Sequence, residues 1–297
     1  MIEVATAIAS VSSQRALHLR AASSTGSNGS ELGAAMDRSV SAYGRGMTTV
    51  VDDLGHAVAL PGAVRRVVSI VPSLTETVAA SARELLVGVT DWCTHPADLD
   101  VPRVGGTKNP DVAAIVALAP DVVLANQEEN RAPDLDALRA AGVAVYVTDI
   151  RTVPAAIGSL ERLLGALGLA RPAWLGAAAE EWRATVPVVS TAVVPIWRRP
   201  WMALGSDTFA GDLVERLGYR NVLAGSPERY PRFDPAALPP VDLVLLPDEP
   251  YLFTPDDGPE AFGGTPFACV DGRSLTWYGP SLAGARARLL ALIDAAR

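Results

Sequence analysis

The chain has 297 residues, 49% of them hydrophobic and 20% charged, and it carries a formal net charge of −8 at pH 7. This length is sufficient for two domains with hydrophobic cores. The acidic balance and the lack of a basic stripe argue against nucleic acid as a partner. No run approaches the roughly 18 apolar residues of a membrane span. We therefore expect a globular, monomeric protein without a membrane span.

Residues 1–46 differ in composition from the rest of the chain. Residues 23–30 (SSTGSNGS) are small and polar, so we predict a disordered extension that ends at residue 46. Residues 2–11 lack the basic start and the apolar run of a secretory signal, and no cysteine that could carry a lipid follows them. On this basis we expect a protein that is cytoplasmic as encoded.

An alternation of strand and helix signals begins after a predicted β-hairpin at residues 48–60. Residues 67–71 (VVSIV) are apolar and largely β-branched, which is typical of a buried strand. Ser73 and Glu76 then fit a capping box, which predicts that a helix begins at this point. A second short strand is predicted at residues 86–90.

The loop that follows this second strand combines four chemically different side chains, namely Asp91, Trp92, Cys93 and His95. Ligands of open α/β sheets bind outside the carboxyl ends of the strands, and this loop lies at such an end. The loop is therefore the first candidate for a binding site.

The alternation continues to residue 150. Asn109 is predicted to cap a helix, and residues 121–125 and 143–147 read as buried strands. A polar loop at residues 126–130 follows the first of these two strands. Because alternating strands and helices indicate a parallel sheet, we predict an α/β lobe over residues 47–150.

Two helical stretches at residues 152–167 and 171–185 come next, without a strand between them. They predict a helical connector over residues 151–186 with a break near Gly168. Strand signals then resume, which predicts a second lobe over residues 187–297. Within this lobe, Ser206 or Asp207 is predicted to cap a helix.

The two predicted lobes share a weak internal repeat, since PDVAAIVALAPDVVLANQEE in the first resembles DPAALPPVDLVLLPDEP in the second. Each segment gives a short helix, a proline, a buried strand and an acidic loop. The predicted fold class is thus α/β. Two Rossmann-like lobes with mainly parallel sheets are joined by a long helical connector, and a ligand cleft lies between them.

The order of the motifs resembles the helical-backbone (class III) substrate-binding proteins, and within them the cobalamin-binding receptors of ABC importers. The segments that carry the resemblance are DDLGHAVAL, RVVSIVPSLTETV, VGVTDWCTHP, PRVGGTKNP, IVALAPDVVLA, LDALRAAGVAVYV, LGYRNVL and LTWYGPSL. The resemblance implies a non-catalytic protein that binds a cobalamin-like corrinoid, or an iron chelate such as a siderophore, between its lobes. It also implies an ABC permease as a partner, although Ala113 and Ala236 stand where transport receptors place acidic docking residues.

Carried over by position, the resemblance makes Trp92 a ring-stacking residue of the first lobe and Tyr230 its counterpart on the second. Trp277 and Tyr278 would rim the cleft, and polar groups would bond the edges of the ligand. The full set of expected ligand-binding residues is Ser73, Trp92, His95, Thr107, Asn126, Gln127, Glu128, Tyr230, Trp277 and Tyr278.

Other interpretations stay open on the sequence alone. Asp91, Cys93 and His95 could bind a metal ion directly, although a lone Cys-x-His pair is weak evidence without a second pair. Cys93 and His95 could also act as nucleophile and base in an enzyme, or the fold could serve a cytoplasmic sensor. Trp92 and Trp277 could simply pack inside the protein. We expect a protein that is not an enzyme, because no third catalytic group, Gly-rich phosphate loop or G-x-S-x-G motif accompanies the pair.

Overall fold

A computed structural model describes residues 46–296 of the chain. The predicted disordered extension over residues 1–46 lies outside the described residues, apart from Gly46. Within the described range, every helix is too short or too polar to cross a membrane.

The described part begins with the predicted hairpin, in which β1 (Met47–Val51) pairs with β2 (Ala57–Pro61) in antiparallel register. The Asp53 carboxylate in its turn binds the Arg162 guanidinium at 2.6 Å and accepts a hydrogen bond from the Ser159 hydroxyl. These contacts attach the hairpin to the helix that leads out of the first lobe.

The first lobe contains a sheet of four parallel strands in the spatial order β4-β3-β5-β6. Successive residues of β3, Val67 and Val68, belong to different hydrophobic clusters, so both faces of the sheet are covered. The strands and helices of this lobe are β3 (Val67–Ser69), α1 (Pro72–Ala82), β4 (Leu86–Val89), α2 (Val112–Ala117), β5 (Val122–Asn126), α3 (Ala132–Ala140) and β6 (Val145–Thr148).

The connector consists of two helices, α4 (Val153–Ala166) and α5 (Ala173–Glu181). Leu160 and Leu164 are among the residues that give α4 a buried stripe at helical spacing. The chain breaks between the helices at Gly168, whose φ of 75° suits glycine. The break therefore lies where the sequence predicts it, and it divides what the family resemblance implies would be one long helix.

The second lobe contains another sheet of four parallel strands, in the order β10-β7-β11-β12. A separate antiparallel pair, β8 with β9, lies beside it. The strands and helices of this lobe are β7 (Ser190–Val193), β8 (Pro195–Arg198), β9 (Trp201–Ala203), α6 (Phe209–Arg216), β10 (Tyr219–Asn221), β11 (Leu243–Pro247), β12 (Phe267–Val270), α7 (Gly272–Thr276) and α8 (Ala285–Ala295).

The two sheets have the same topology, because in each the strands lie in the order second, first, third, fourth. An aspartate directly before the third strand has the same role in both lobes. Asp121 accepts hydrogen bonds from the backbone N–H groups of Arg65 and Arg66, just before the first strand. Asp242 accepts from the backbone N–H of Thr191 and from the hydroxyl of Ser190, within the first strand. The internal repeat predicted from the sequence is therefore also a structural repeat.

Three predicted helix starts are wrong, each by a few residues. Pro72 suits the first helical turn, so α1 begins there with the extended Val71 as its N-cap, and the Ser73 side chain makes no capping hydrogen bond. Asn109 does not cap α2; Asp111 does, by accepting from the N–H of Ala114.

The third correction concerns α6, for which the sequence favours a cap at residue 206 or 207. Asp207 has a φ of 54°, which is incompatible with a continuing helix, and Thr208 caps the helix by accepting from the N–H of Gly211. The sequence also misses the β8–β9 pair and β10, which are too short to produce a clear alternation.

Candidate functional site

The lobes meet beyond the carboxyl ends of both sheets, which is where open α/β sheets bind ligands. From the first lobe, the loop after β5 presents Glu128 and Glu129. From the second lobe, Arg229 and Tyr230 approach the same place. The Arg229 Nη2 atom lies 2.9 Å from the Glu128 Oε2 atom, and we call this contact the interlobe ion pair.

The loop after β5 is held in shape by Asn126. Its amide nitrogen donates to the carbonyl and hydroxyl oxygens of Thr148, and its amide oxygen accepts from the N–H groups of Glu128 and Glu129. Since the side-chain oxygen and nitrogen of Asn126 are both engaged within the lobe, Asn126 positions the acidic residues. It does not present free groups to a ligand, in contrast to the sequence expectation.

A second amide, that of Asn130, ties this loop to its neighbours. Its side-chain nitrogen donates to the carbonyls of Ile70 and Thr107, and its side-chain oxygen accepts from the N–H of Asn126. Thr107 is buried, and its carbonyl has this structural role. Gln127 is exposed, and its N–H donates to the Thr148 carbonyl.

Cationic side chains lie near the carboxylates of Glu128 and Glu129. The Lys108 ammonium donates to the Glu128 carbonyl, and burial lowers the pKa of Lys108. Burial raises the pKa of Glu129, although the nearby Lys108 opposes this effect and Glu128 adds to it. One partly buried region thus contains a lysine, two glutamates and the arginine of the interlobe ion pair.

Tyr230 lies between this charged group and the second lobe. Burial, followed by the neighbouring Glu128 carboxylate, raises the pKa of Tyr230 well above its ordinary value. The Arg229 guanidinium carbon lies 5.8 Å from the centroid of the Tyr230 ring. The phenol is therefore held in its protonated form.

Trp277 and Tyr278 are only 9% and 5% exposed, so they lie within the protein and not on an open rim. The Tyr278 ring contacts Phe209 edge-on at 5.7 Å between centroids. The Tyr278 hydroxyl is buried near the Thr148 side chain, without a hydrogen bond of ordinary distance and angle to the described residues. Burial, then the charges of Glu129 and Glu128, raises its pKa well above the ordinary value.

A second interlobe contact involves Trp277. Its ring meets that of His95 edge-on at 5.5 Å, and the Arg273 guanidinium lies 5.7 Å from it. Arg273 forms an ion pair with the buried Glu76 of α1. Glu76 is therefore an interlobe partner and not half of a capping box.

The chain comes very close to α1 at Gly279. A Cβ atom placed on Gly279 would lie 3.0 Å from the Ser73 carbonyl oxygen, so a glycine permits this approach. Ser73 thus lies at the lobe contact, with its carbonyl also accepting from the Thr77 hydroxyl.

A third link joins the connector to the interlobe ion pair. Arg151 forms an ion pair with Asp207, and the Asp207 carbonyl accepts a hydrogen bond from Nε of Arg229 at 2.7 Å. A cavity of about 190 Å³ lies beside this link. It is smaller than the roughly 300–1,000 Å³ of small-molecule pockets.

The structure does not support direct metal binding at residues 91–95. Cys93 is fully buried, and its sulfur lies within hydrogen-bonding distance of Thr75 and Thr90. Burial raises the pKa of this thiol, whereas a metal ligand or a nucleophile must be a thiolate. Asp91 is exposed, and no group of three His, Cys, Asp or Glu side chains in residues 46–296 could hold a metal ion.

The predicted site residues fall into two groups. The structure brings Glu128, Tyr230 and Tyr278 together, and it brings His95 together with Trp277. Trp92 is half-buried, and its indole nitrogen lies close to Gly106 of the same lobe. The sequence did not single out Lys108, Glu129, Asn130, Arg229 or Arg273, because isolated charged or amide residues in loops carry no local signal.

Comparisons with known proteins extend this description. No family model matches the chain. The vitamin B12-binding protein of Vibrio cholerae is 23% identical over 207 residues, which covers 66% of this chain and 72% of that protein. The vitamin B12-binding protein of Yersinia pestis is 26% identical over 181 residues, which covers 57% of this chain and 64% of that protein.

Solved structures share the two-lobed fold. The periplasmic vitamin B12-binding protein BtuF of Vibrio cholerae matches with a TM-score of 0.60 and 16% identity, over 78% of this chain and 98% of that one. The periplasmic heme-binding protein BhuT, in complex with two hemes, matches with a TM-score of 0.64 and 25% identity, over 78% of this chain and 98% of that one. The heme-binding protein HmuT matches with a TM-score of 0.61 and 20% identity, over 90% of this chain and 95% of that one.

The chain resembles the class III substrate-binding proteins in sequence and shares their two-lobed fold. The resemblance and the fold class inferred from the sequence are thereby confirmed. The expectation of a cytoplasmic protein is wrong, because BtuF and BhuT, whose fold this chain shares, are periplasmic proteins. By their names, these relatives are binding proteins.

Proposed function

We propose that the protein binds a cobalamin-like corrinoid between its lobes, without catalysis, and delivers it to an ABC permease. The observation that carries the proposal is the facing pair of surfaces beyond the two sheets. One surface supplies the carboxylates of Glu128 and Glu129, and the other supplies the phenols of Tyr230 and Tyr278. The vitamin B12-binding proteins that this chain resembles support the same class of ligand.

The charges near the lobe boundary favour a corrinoid over heme. Heme carries two carboxylate groups, which need cationic partners. Arg229 already binds the Glu128 carboxylate, and Lys108, which donates to the Glu128 backbone carbonyl, has the Glu129 and Glu128 carboxylates nearby. A corrinoid carries carboxamides, which can both donate to carboxylates and accept from phenols.

Tyr230 is the observation that favours heme, or another iron chelate, as the second candidate. It is a phenol at the lobe boundary beside an arginine, and the neighbour BhuT binds heme. Iron ligation needs the phenolate, however, and both burial and Glu128 oppose its formation. We therefore place the corrinoid first.

The domain boundaries follow from the same proposal. Residues 47–150 and 187–297 would form the two binding lobes, and residues 151–186 would form the connector. Asp111 and Asp234 are exposed, and they cap short helices at equivalent positions of the two lobes. They are the carboxylates that a permease would meet on each lobe, in place of Ala113 and Ala236.

A direct titration tests the proposal. The full chain is titrated with cyanocobalamin, dicyanocobinamide and hemin while the intrinsic tryptophan fluorescence is followed. We expect saturable quenching by both corrinoids and weaker binding of hemin. Saturable binding of hemin alone, accompanied by a heme absorption band that Tyr230→Phe shifts, would support the second candidate and contradict the first.

A further inference from the structure

The loop over residues 90–102 leaves β4 and returns to the same strand, and we call it the β4 loop. Backbone hydrogen bonds join its two ends. The Val89 N–H donates to the Pro102 carbonyl at 3.0 Å, and the Val104 N–H donates to the Val89 carbonyl at 2.9 Å. Arg103 lies between these two bonds, in a parallel bridge with Val89. The backbone of Arg103 is therefore fixed at the carboxyl end of the first sheet.

The Arg103 side chain reaches from this anchor into the β4 loop. Its Nη1 atom donates to the carbonyls of Thr90 and Cys93 at 3.0 and 2.9 Å, and its Nη2 atom donates to the Leu99 carbonyl at 3.3 Å. Carbonyls in a loop lack the partners that a helix or a sheet provides, and a guanidinium with five donors can bind several of them at once. One side chain thus joins three points that are spread along the loop.

The β4 loop carries two of the side chains that are expected to meet the ligand, Trp92 and His95. Trp92 directly precedes Cys93, whose carbonyl Arg103 binds, so this hydrogen bond acts on the backbone that sets the direction of the indole ring. The His95 ring meets the Trp277 ring of the second lobe edge-on at 5.5 Å. The loop that Arg103 holds therefore lies at the lobe boundary.

We propose that Arg103 is a positioning residue for ligand binding, which holds the β4 loop in the conformation in which Trp92 meets the ligand. This inference rests on the proposed function, because it concerns the affinity for the same corrinoid. The three carbonyls call for a guanidinium, since a lysine ammonium is a point charge without the planar fork that spans them. Arg103 is also exposed. The test must therefore distinguish positioning from a direct contact between its charge and the ligand.

Arg66 provides a matched control within the same lobe. Its Nε and Nη2 atoms also donate to loop carbonyls, those of Leu118 and Ala119, at 2.6 to 3.2 Å. It is exposed, as Arg103 is. Arg66 directly precedes β3, however, so it lies at the amino end of the sheet, opposite the lobe boundary. Its truncation removes the same kind of interaction at a distance from the cleft.

The test makes two measurements on each variant of the full chain. Hydrogen exchange in peptides over residues 90–105, without ligand, reports the order of the β4 loop. Titration with cyanocobalamin gives the affinity, and urea denaturation verifies that each variant is folded. The variants are Arg103→Ala, Arg103→Lys, Trp92→Ala, the double variant of Arg103→Ala with Trp92→Ala, and the control Arg66→Ala.

We expect Arg103→Ala to speed exchange in residues 90–105 by about tenfold, because it removes hydrogen bonds from a charged donor. It should weaken cyanocobalamin binding by about five- to fiftyfold, within the range for loss of Trp92 itself. In the Trp92→Ala background the same substitution should cost less than about twofold, since residues that act through one another are not additive. Arg103→Lys should restore neither the slow exchange nor the affinity. Arg66→Ala should leave both unchanged.

The outcomes separate this proposal from the proposed function. If wild-type protein binds no cyanocobalamin, the proposed function fails and the positioning role fails with it. If wild-type protein binds cyanocobalamin while Arg103→Ala keeps its affinity or its slow exchange, the corrinoid function stands and the positioning role is wrong.

Three further results would overturn the positioning role alone. Equal losses from Arg103→Ala in the wild-type and Trp92→Ala backgrounds would mean that Arg103 acts independently of Trp92. Full affinity in Arg103→Lys would mean that only the charge matters. An equal loss of affinity in Arg66→Ala would mean that the effect is general to the lobe.

Discussion

Arg229 binds two different parts of the protein at once, because its Nη2 atom contacts Glu128 of the first lobe while its Nε atom donates to the Asp207 carbonyl of the second. Asp207 in turn pairs with Arg151 at the start of the connector. The lobe boundary and the connector are therefore joined through a single guanidinium group. A ligand that displaces Glu128 from Arg229 would act on the contact nearest the connector.

The interlobe ion pair should contribute little to stability. The Arg229 and Glu128 side chains remain 20% and 32% exposed, and such pairs contribute about 0.2–1 kcal/mol. We expect Arg229→Ala, Glu128→Gln and the double variant to give a coupling free energy within that range in urea denaturation. The coupling should shrink at 1 M salt because screening weakens it. A coupling free energy several times larger than this range would contradict the expectation and indicate an ion pair that does not open.

Trp92 and Tyr230 should both contribute to ligand affinity. If they stack on one flat ligand from opposite lobes, truncation of either removes apolar contact and ring stacking worth roughly 1.5–3 kcal/mol. Trp92→Ala and Tyr230→Ala should therefore each weaken corrinoid binding by about 10- to 150-fold. Fluorescence of the remaining tryptophans, or isothermal calorimetry, measures the change. Normal affinity in Trp92→Ala would assign Trp92 to packing within its own lobe.

Helix caps give a matched pair of stability measurements. Ser73 lies inside the first turn of α1 without a capping bond, so Ser73→Ala should change the free energy of unfolding by less than about 0.5 kcal/mol. Thr208 caps α6, so Thr208→Ala should cost about 1 kcal/mol. Urea midpoints of both variants are compared with wild type. A larger loss of stability in Ser73→Ala than in Thr208→Ala would indicate that Ser73 does cap α1.

The helix starts also indicate how far the sequence could be interpreted. The strand–helix alternation and the hairpin are long-range patterns that many residues share, and the structure has them where they were predicted. The position of a helix cap, in contrast, depends on the backbone conformation of a single residue. The sequence could not reveal that Pro72 begins α1, or that Asp207 adopts a positive φ and passes the capping role to Thr208.

Asp242 should make the second lobe sensitive to acid. The hydrogen bonds from the backbone and hydroxyl of Thr191, and from the Ser190 hydroxyl, lower the pKa of Asp242 below its ordinary value of 3.8. A carboxyl group with a lowered pKa stabilises the folded state above its unfolded pKa, and this stability is lost as the pH falls through the folded pKa. We expect Asp242→Asn to be less stable than wild type at pH 7.

The difference between wild type and Asp242→Asn should shrink as the pH falls below about 4, because the wild-type carboxyl then becomes protonated. Denaturation midpoints from pH 7 to pH 2.5 measure this. The control is Asp294→Asn, since Asp294 is an exposed carboxylate on the last helix. A constant difference between wild type and Asp242→Asn across the whole range would show that the charge of Asp242 is not involved.

The two cysteines should differ in reactivity. Cys93 is fully buried with a raised pKa, while Cys269 is only partly buried. We expect Ellman's reagent to label Cys269 slowly in the native protein and Cys93 only after denaturant is added. Cys93→Ser should leave corrinoid affinity within about twofold, since the Cys93 sulfur is buried in the core of the first lobe beside the hydroxyls of Thr75 and Thr90. Loss of corrinoid binding in Cys93→Ser would instead support direct metal coordination by Cys93.

The candidate site was less predictable than the fold, for a physical reason. Aromatic residues such as Tyr230 and Tyr278 stand out in a sequence because they are rare and large. The partners that set their chemistry, Glu129 and Arg229, are ordinary surface-type residues, and they come from segments about a hundred residues apart. Only the folded arrangement of the lobes reveals that these charges meet the two phenols.

The repeated sheet order has a consequence for the way a ligand would be held. Asp121 and Asp242 have the same role in the two lobes, so both lobes follow one architectural plan. The lobes nevertheless differ in the residues with which they face each other. One half contributes acids and the other contributes phenols. A planar molecule between them would meet different chemistry above and below its ring. Such a receptor would distinguish the two faces of its cargo and hold it in a single orientation, with one axial side always toward the carboxylates.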